Sequence, residues 1–277
     1  MTQTAWYLGC RPQDVGDRAI LVGDRGRVGL VAELLESPEW LNEDRGLTTV
    51  TGGYRGKRVT ASAFGMGAPI AAVVLHELRV LGVHTFIRLG TVMCLPPAQL
   101  GQLVLADGAI RGESTSGTYV PGGFPAVGDY ELCAALRRRL GEGERGWSAG
   151  LVASYDGFYT ELFALEKGRQ PEIESRQEAL ASLGVVATDM ETSAVLAVGR
   201  ALGARAASLC LASVDGRTKE KLGGDEREDG ERDLIAVGLD AITEVGAPDP
   251  SANHQGTLRD DRGSGSAKFS AREGGSS

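Results

Sequence analysis

The stretch GVVATDMETSAV, residues 184–195, sets four small or apolar residues directly against two carboxylates and then continues at helical spacing. Gly184, Val185, Val186 and Ala187 read as a short buried strand, and Glu191, Ala194, Val195 and Val198 recur along one helical face. Strand therefore gives way to helix within about two residues of Thr188 and Asp189. Ligands bind at the carboxyl ends of strands in open α/β sheets, which puts Asp189 and Glu191 at a place suited to function. The same letters also spell a capping box, in which the Thr188 hydroxyl and the Glu191 carboxylate satisfy each other's backbone N–H groups. Local pattern alone supports both readings.

Outward from this stretch, strands and helices alternate along the chain. Arg18–Gly23 reads as a strand, Arg27–Glu36 as a helix, and Gly46–Val50 and Lys57–Phe64 as two strands joined through Gly52-Gly53 and a turn at Arg55-Gly56. Pro69 suits the first turn of a helix that runs to about Leu81. His84–Leu89 is the next strand, and periodicity is lost after Gly90-Thr91 until Gln102–Ala106. Residues 107–130, rich in Gly, Ser, Thr and Pro, read as a long functional loop. Helices near Asp129–Leu140 and Pro171–Leu183, strands at Ala149–Ser154 and Ala204–Ala212, and a closing helix at Asp229–Val245 complete the pattern. The expected fold is α/β, a single domain over 1–246 with a mixed, twisted central β-sheet flanked by helices. Residues 247–277 have almost no large apolar side chains and are expected to be a disordered tail.

A net charge of −8, with Arg137-Arg138-Arg139 the longest basic run, argues against a nucleic-acid partner. Cys10, Cys94, Cys133 and Cys210 form no CxxC pair, and the N-terminus lacks a basic-then-apolar signal segment, so a reduced cytoplasmic setting is expected. No apolar run approaches the roughly 20 residues of a membrane helix. His76, His84 and His254 lack metal-ligand spacing, and no metal is expected.

Three arginines stand where an anion site can be assembled. Arg27 follows Gly23 at a helix start, where backbone N–H groups and the helix dipole favour an anion. Arg88 lies in the strand TFIRLGT with Thr91 just beyond, a guanidinium fork and a hydroxyl matched to phosphate oxygens. Arg45 lies in an apparent loop before a strand. Taken singly, each is as readily a surface ion pair. Gly65-Met66-Gly67 has the look of a phosphate-cradling loop without the Rossmann or Walker spacing.

Taken together, LVGDRGRV (21–28), FGMGAP (64–69), TFIRLGT (85–91), GQLVLADGAIRGESTSGTYVP (101–121) and VVATDMETSAV (185–195) resemble, in order and spacing, the nucleoside phosphorylases of the uridine phosphorylase and hexameric purine nucleoside phosphorylase type. The match spans about Leu8 to Val245, and GAIRGESTS with FPAV (124–127) leans toward the uridine branch. The resemblance implies that Gly23, Arg27, Arg88 and Thr91 hold phosphate and that Arg45 reaches the phosphate site of a neighbouring subunit. It implies that Glu191 grips the ribose hydroxyls over Met190, that Tyr7 stands near the 5′-hydroxyl, and that Phe158 of YDGFY stacks on the base beside Val92, Met93 and Asp189. It also implies a homo-oligomer, a hexamer whose site-forming unit is the dimer, with nucleoside and inorganic phosphate as substrates and no cofactor.

Asp215 and Arg217 of ASVDGRT are the candidates for stabilising the departing base. An Asp at a comparable place protonates the base in the purine branch, and an Arg orients uracil in the uridine branch. Asp215-Gly216 also reads as an ordinary turn. Several residues depart from the family pattern. Asp24-Arg25-Gly26 replaces the proline of the phosphate loop, Val92-Met93 follows Thr91, Leu162 and Phe163 stand where uracil-gripping Gln and Arg are usual, and Tyr7 replaces a His. Phosphorolysis with uridine-type preference is the leading expectation. The alternatives are a purine enzyme using Asp215 as acid, a nucleosidase, and a nucleoside-binding protein without turnover.

Overall fold

The computed structural model describes residues 4–166 and 168–246; the tail expected at 247–277 lies outside them. Ten strands and six α-helices follow one another as β1 (Arg18–Val22), α1 (Arg25–Leu34), β2 (Glu36–Asn42), β3 (Thr49–Tyr54), β4 (Lys57–Ala63), α2 (Ala68–Val80), β5 (Thr85–Cys94), β6 (Leu103–Gly112), β7 (Ala126–Val127), α3 (Tyr130–Glu142), β8 (Trp147–Tyr155), α4 (Gln170–Ser182), β9 (Val185–Asp189), α5 (Thr192–Ala201), β10 (Arg205–Asp215) and α6 (Gly224–Glu244). All ten strands join one mixed sheet.

Five of them close on themselves: β5 pairs with β10, β10 with β6, β6 with β8, β8 with β9, and β9 with β5 again. The remaining wall, β1-β4-β3-β2, extends from the other side of β5. Alternate side chains of the ring strands, among them Val92, Cys94, Val104, Ala106, Cys210 and Ala212, pack inward as a small apolar core, as the period of two requires. Outside, α1, α3 and α6 cover one face through Val28, Val31, Leu132, Leu136, Leu234 and Leu239, while α2 and α5 cover the other through Leu75, Leu78, Val195 and Val198. Arg18, 2% exposed, ties the start of β1 to the end of α6. Its Nη1 donates to the carbonyls of Ile242 (2.7 Å) and Val245 (3.0 Å), and its Nε to Asp17 (2.7 Å).

The α/β architecture expected from the alternation is the one observed, with three corrections. β2 was not expected, because ESPEWLN is an edge strand whose residues are all at least partly exposed, so it carries no apolar alternation. β5 continues four residues beyond Gly90 to Cys94, and β6 runs to Gly112, so the supposed loop over 107–130 holds strand, a 3-10 turn at Thr115–Thr118, and β7. Both strands lose their period there because ring strands have one face on the inner core and the other beneath helices. Finally, α5 begins at Thr192 rather than near Thr188.

β5 changes partners midway. Through Leu89 it is flanked by β1 and β10; from Met93 it is flanked by β9 and β10. Between them, Gly90, Thr91 and Val92 pair with β10 alone, and the free edge opens a crevice in the sheet.

Candidate active site

The crevice is a cleft of about 650 Å³ lined by the free edge of β5, the ends of β1, β4, β9 and β10, and the turn after β8. Gly23, Arg27, Arg88, Thr91, Val92, Met93, Phe158, Asp189, Met190 and Glu191 all line it.

Its floor is built around Arg88, whose side chain is 3% exposed. Nη2 donates to Glu191 Oε2 at 2.5 Å, and Nη1 reaches Asp189 Oδ2 at 3.1 Å and Cys210 Sγ at 2.8 Å. Burial works against the guanidinium charge, but the neighbours Cys210, Asp189 and Glu191 more than offset it and hold the group charged. The guanidinium folds back over Gly90: a Cβ there would lie 2.3 Å from Arg88 Nη1. Only glycine leaves room for the arginine, which is why TFIRLGT carries it.

Arg27 approaches from α1. Its Nη1 donates to the Leu89 carbonyl at 3.3 Å, directly beside Arg88, and its Nε lies 3.3 Å from Glu231 of α6. That last contact is a charge pair without hydrogen-bond alignment, and Arg27 Nε and Arg88 Nε are both buried donors with no hydrogen-bond partner among the described residues. Unsatisfied buried guanidinium N–H groups are costly unless a ligand takes them. Gly23 borders the same space, and its backbone meets Gly65 so closely that a Cβ would fall 2.9 Å from the Gly65 carbonyl. The Gly65 N–H in turn donates to the Gly23 carbonyl at 3.0 Å.

Glu191, paired directly with Arg88, is 6% exposed. Oε1 accepts the N–H of Gly67 at 2.6 Å, at the N-terminus of α2, where the helix dipole favours a carboxylate. The capping box is not formed. Thr188 Oγ1 has no partner among the described residues, and Asp189 takes the capping work, accepting the N–H groups of Glu191 and Thr192 at 3.3 and 3.2 Å and the hydroxyls of Ser154 and Thr192 at 2.6 and 2.5 Å. The Asp189 oxygens are thus engaged by the protein, whereas each Glu191 oxygen has one partner and a lone pair to spare.

The other end of the cleft is apolar. Val92, Met93 and Leu162 are buried there, and Phe158, 41% exposed on a π-helical turn at Phe158–Leu162, lies stacked on Phe163 with ring centroids 6.3 Å apart.

Four expected site residues lie elsewhere. Asp215 Oδ1 accepts the N–H groups of Arg217 and Thr218, both at 2.8 Å. Burial alone would raise its pKa, but these amides bring it below the usual carboxylate value. It closes a turn, and a carboxyl so held is a poor acid. Arg217 lines a separate cleft of about 260 Å³ with Glu174, Gln177 and Gly216. Tyr7 and Arg45 lie outside the cleft but together, the Arg45 guanidinium 5.6 Å above the Tyr7 ring.

Lys219, Lys221 and Arg227 line the cleft without having been singled out from sequence. They follow the turn in a polar stretch, TKEKLGGDERE, whose charges resemble any solvated segment; only the hairpin that folds Lys221 back against Val214 brings them to the site. Among the described residues no group of metal-ligating side chains is assembled, and no helix is long and apolar enough to cross a membrane.

Comparison with known proteins gives the family. A model described as "Phosphorylase superfamily" matches residues 17–240. The chain belongs to the phosphorylase superfamily. It is similar to a uridine phosphorylase of Treponema pallidum, 32% identical over 211 residues, covering 76% of this chain and 82% of the relative. It is also similar to a guanosine phosphorylase of Halorubrum lacusprofundi, 31% identical over 238 residues, covering 83% and 94%. The crystal structure of uridine phosphorylase from Vibrio fischeri ES114 superposes with a TM-score of 0.78 at 27% identity, covering 87% of this chain and 97% of that one. The superfamily fold is therefore the fold of this chain, and the family expected from its motifs, the nucleoside phosphorylases, which are pentosyltransferases, is the one found.

Proposed function

We propose that this phosphorylase superfamily member cleaves a nucleoside with inorganic phosphate, giving free base and ribose 1-phosphate, with uridine as the preferred substrate. The observation that carries the reading is that the buried Nε donors of Arg27 and Arg88, without a hydrogen-bond partner among the described residues, share one cleft with Glu191. Phosphate at Gly23, Arg27, Arg88 and Thr91 would take those donors, and the spare lone pairs of Glu191 would accept the ribose hydroxyls over Met190. That arrangement holds the attacking oxygen and the anomeric carbon in line, and positioning is what an oxocarbenium-like displacement most requires. The cations balance the charge of the nucleophile as the base departs.

No cofactor enters this chemistry. Arg45 and Tyr7, side by side and outside their own cleft, serve the cleft of an adjoining subunit, so that the working unit is a dimer within a cytoplasmic hexamer. Domain 1–246 carries all of these residues. Preference for uridine rests on the GESTS and FPAV motifs and on the likeness to uridine phosphorylases; the guanosine phosphorylase relative favours a purine as the second reading.

The test is base release from uridine, cytidine, inosine and guanosine with and without phosphate. Phosphate-dependent release, fastest from uridine, is expected. Release at equal rate without phosphate indicates a nucleosidase, and tight binding with no release indicates a non-catalytic binding protein; either overturns the reading.

A further inference from the structure

Three cations of the cleft, Lys219, Lys221 and Arg227, are not used by the phosphate and ribose roles, and Lys219 is tied through Gln177 to Met93 and Leu162 at the apolar end. Lys219 lines the same cavity as Met93, Leu162 and Phe158, where no other charged side chain has been assigned a task. Its ammonium is held in place: Nζ donates to Gln177 Oε1 at 3.0 Å and to the Gly216 carbonyl, leaving one proton uncommitted. Gln177, 5% exposed on α4, is itself fixed, since its Nε2 donates to the Leu162 carbonyl at 3.0 Å and lies 3.4 Å from Met93 Sδ. These bonds dictate which way its amide faces and turn its oxygen toward the lysine. Lys219 also occupies the left-handed region, with φ of 63°, a conformation that a side-chain-bearing residue keeps only where its surroundings enforce it. The enforcing element is the turn closed by Asp215: the Lys219 N–H donates to the Asp215 carbonyl at 2.9 Å while the Asp215 carboxylate gathers the amides of Arg217 and Thr218.

We propose that Lys219, not Asp215 or Arg217, is the catalytic residue that takes up the charge of the departing base, with Gln177 and Asp215 as the residues that position it. The proposal rests on the nucleoside phosphorylase reading and gives that site its leaving-group partner. As a phosphate oxygen bonds to the anomeric carbon, the bond from that carbon to the base nitrogen breaks and its electron pair passes to the base. The third Nζ proton is donated to the base, and the lysine is reprotonated from solvent. Burial lowers the hold of Lys219 on its proton, partly opposed by Glu174 and Asp215, which makes it a better donor than an exposed lysine.

A leaving-group comparison tests this. Wild type, Lys219→Met and Lys219→Arg are assayed with phosphate on two matched pairs, uridine against 5-nitrouridine and inosine against 7-methylinosine, the second member of each leaving without needing a proton. Lys219→Met is expected to lower kcat on the better-cleaved ordinary nucleoside by about 100-fold or more, as loss of a general acid does, and to cost its activated counterpart less than about 10-fold. Lys219→Arg keeps the charge but has no transferable proton, so it should leave most of that loss in place on the ordinary nucleoside, and Lys219→Gln should repeat the Lys219→Met pattern should that variant fold poorly. Equal losses on both members of a pair, or no loss, overturn the assignment and leave phosphorolysis standing. A wild type that releases base from none of the four overturns the underlying reading.

Discussion

Glu191 does two kinds of work with one carboxylate, anchoring Gly67 and Arg88 through one lone pair on each oxygen and leaving the other pair for a ligand. Glu191→Gln replaces one acceptor with an amide donor that faces either Arg88 or the Gly67 N–H, so a buried donor goes unmet. We expect kcat/KM for a ribonucleoside to fall about 100- to 1,000-fold, in line with loss of a charge-assisted contact and its positioning. The loss should be at least several-fold smaller for the 2′-deoxynucleoside, which has one hydroxyl fewer to lose; equal losses would show that Glu191 serves the fold alone. Gly90→Ala is the complementary probe. Its Cβ would displace the Arg88 guanidinium, and KM for phosphate should rise about 10-fold or more, measured by varying phosphate at saturating nucleoside. At this scale the places of Arg27, Arg88 and Glu191 in one cleft were legible because anion chemistry calls for those residue types next to strand ends, whereas Phe158 was reached through the family resemblance alone. Asp215 was not, since the letters DG mark a turn and a base-facing acid alike, and only the two amide hydrogen bonds decide between them.

Helix α5 lies against β10 at a distance set by Gly199, where a Cβ would come 2.8 Å from the Cβ of Ala206. Alanine is favoured over glycine by about 1 kcal/mol within a helix, but here it must push a helix off a sheet, which costs about 1–3 kcal/mol. Gly199→Ala is therefore expected to lower Tm in a thermal melt, against the helix-propensity trend. Because Glu191 is the N-cap of α5, the same variant should also weaken nucleoside binding. The sequence displayed α2 and α6 clearly, each with one apolar face to bury, and α5 as well, which is buried on every side from Thr192 to Gly199. It concealed β2, whose edge position leaves no face to bury, and the far half of β5, whose neighbours differ on the two sides of Gly90. Periodicity reports one buried face; it falls silent where a strand has none or two.

Across the whole molecule, the first strand and last helix are joined by Arg18, and that joint is acid-sensitive. The hydrogen bond from Arg18 holds the Asp17 carboxyl below the usual carboxylate range against the opposing effect of its burial. A depressed folded-state pKa contributes stability that is fully present above the unfolded value of about 3.9 and is lost as pH falls through the folded value. Arg18→Met removes this contribution together with two carbonyl bonds at the end of α6. The variant should be less stable by about 2–4 kcal/mol at pH 7, and its Tm should fall less steeply than that of wild type as pH is lowered below about 4. A parallel pair of Tm curves would place the acid response elsewhere. The closed circuit of five strands was the least legible feature at this scale, since closure depends on which strands meet, and the pattern of a single strand does not encode its neighbours.

The partner exchange along β5 has an evolutionary corollary. The hinge at residues 90–92 parts the cleft into two territories built by different walls: on the proposed reading β1 and α1 furnish the oxyanion side, and the turn after β8 and the hairpin after β10 the nucleobase side. Substitutions can accumulate in one territory without passing through the other. A lineage can exchange one heterocycle for another while its reaction stays the same; of the places where this chain leaves the family pattern, Val92, Met93, Leu162 and Phe163 fall in the second territory, while Asp24-Arg25-Gly26 falls in the first.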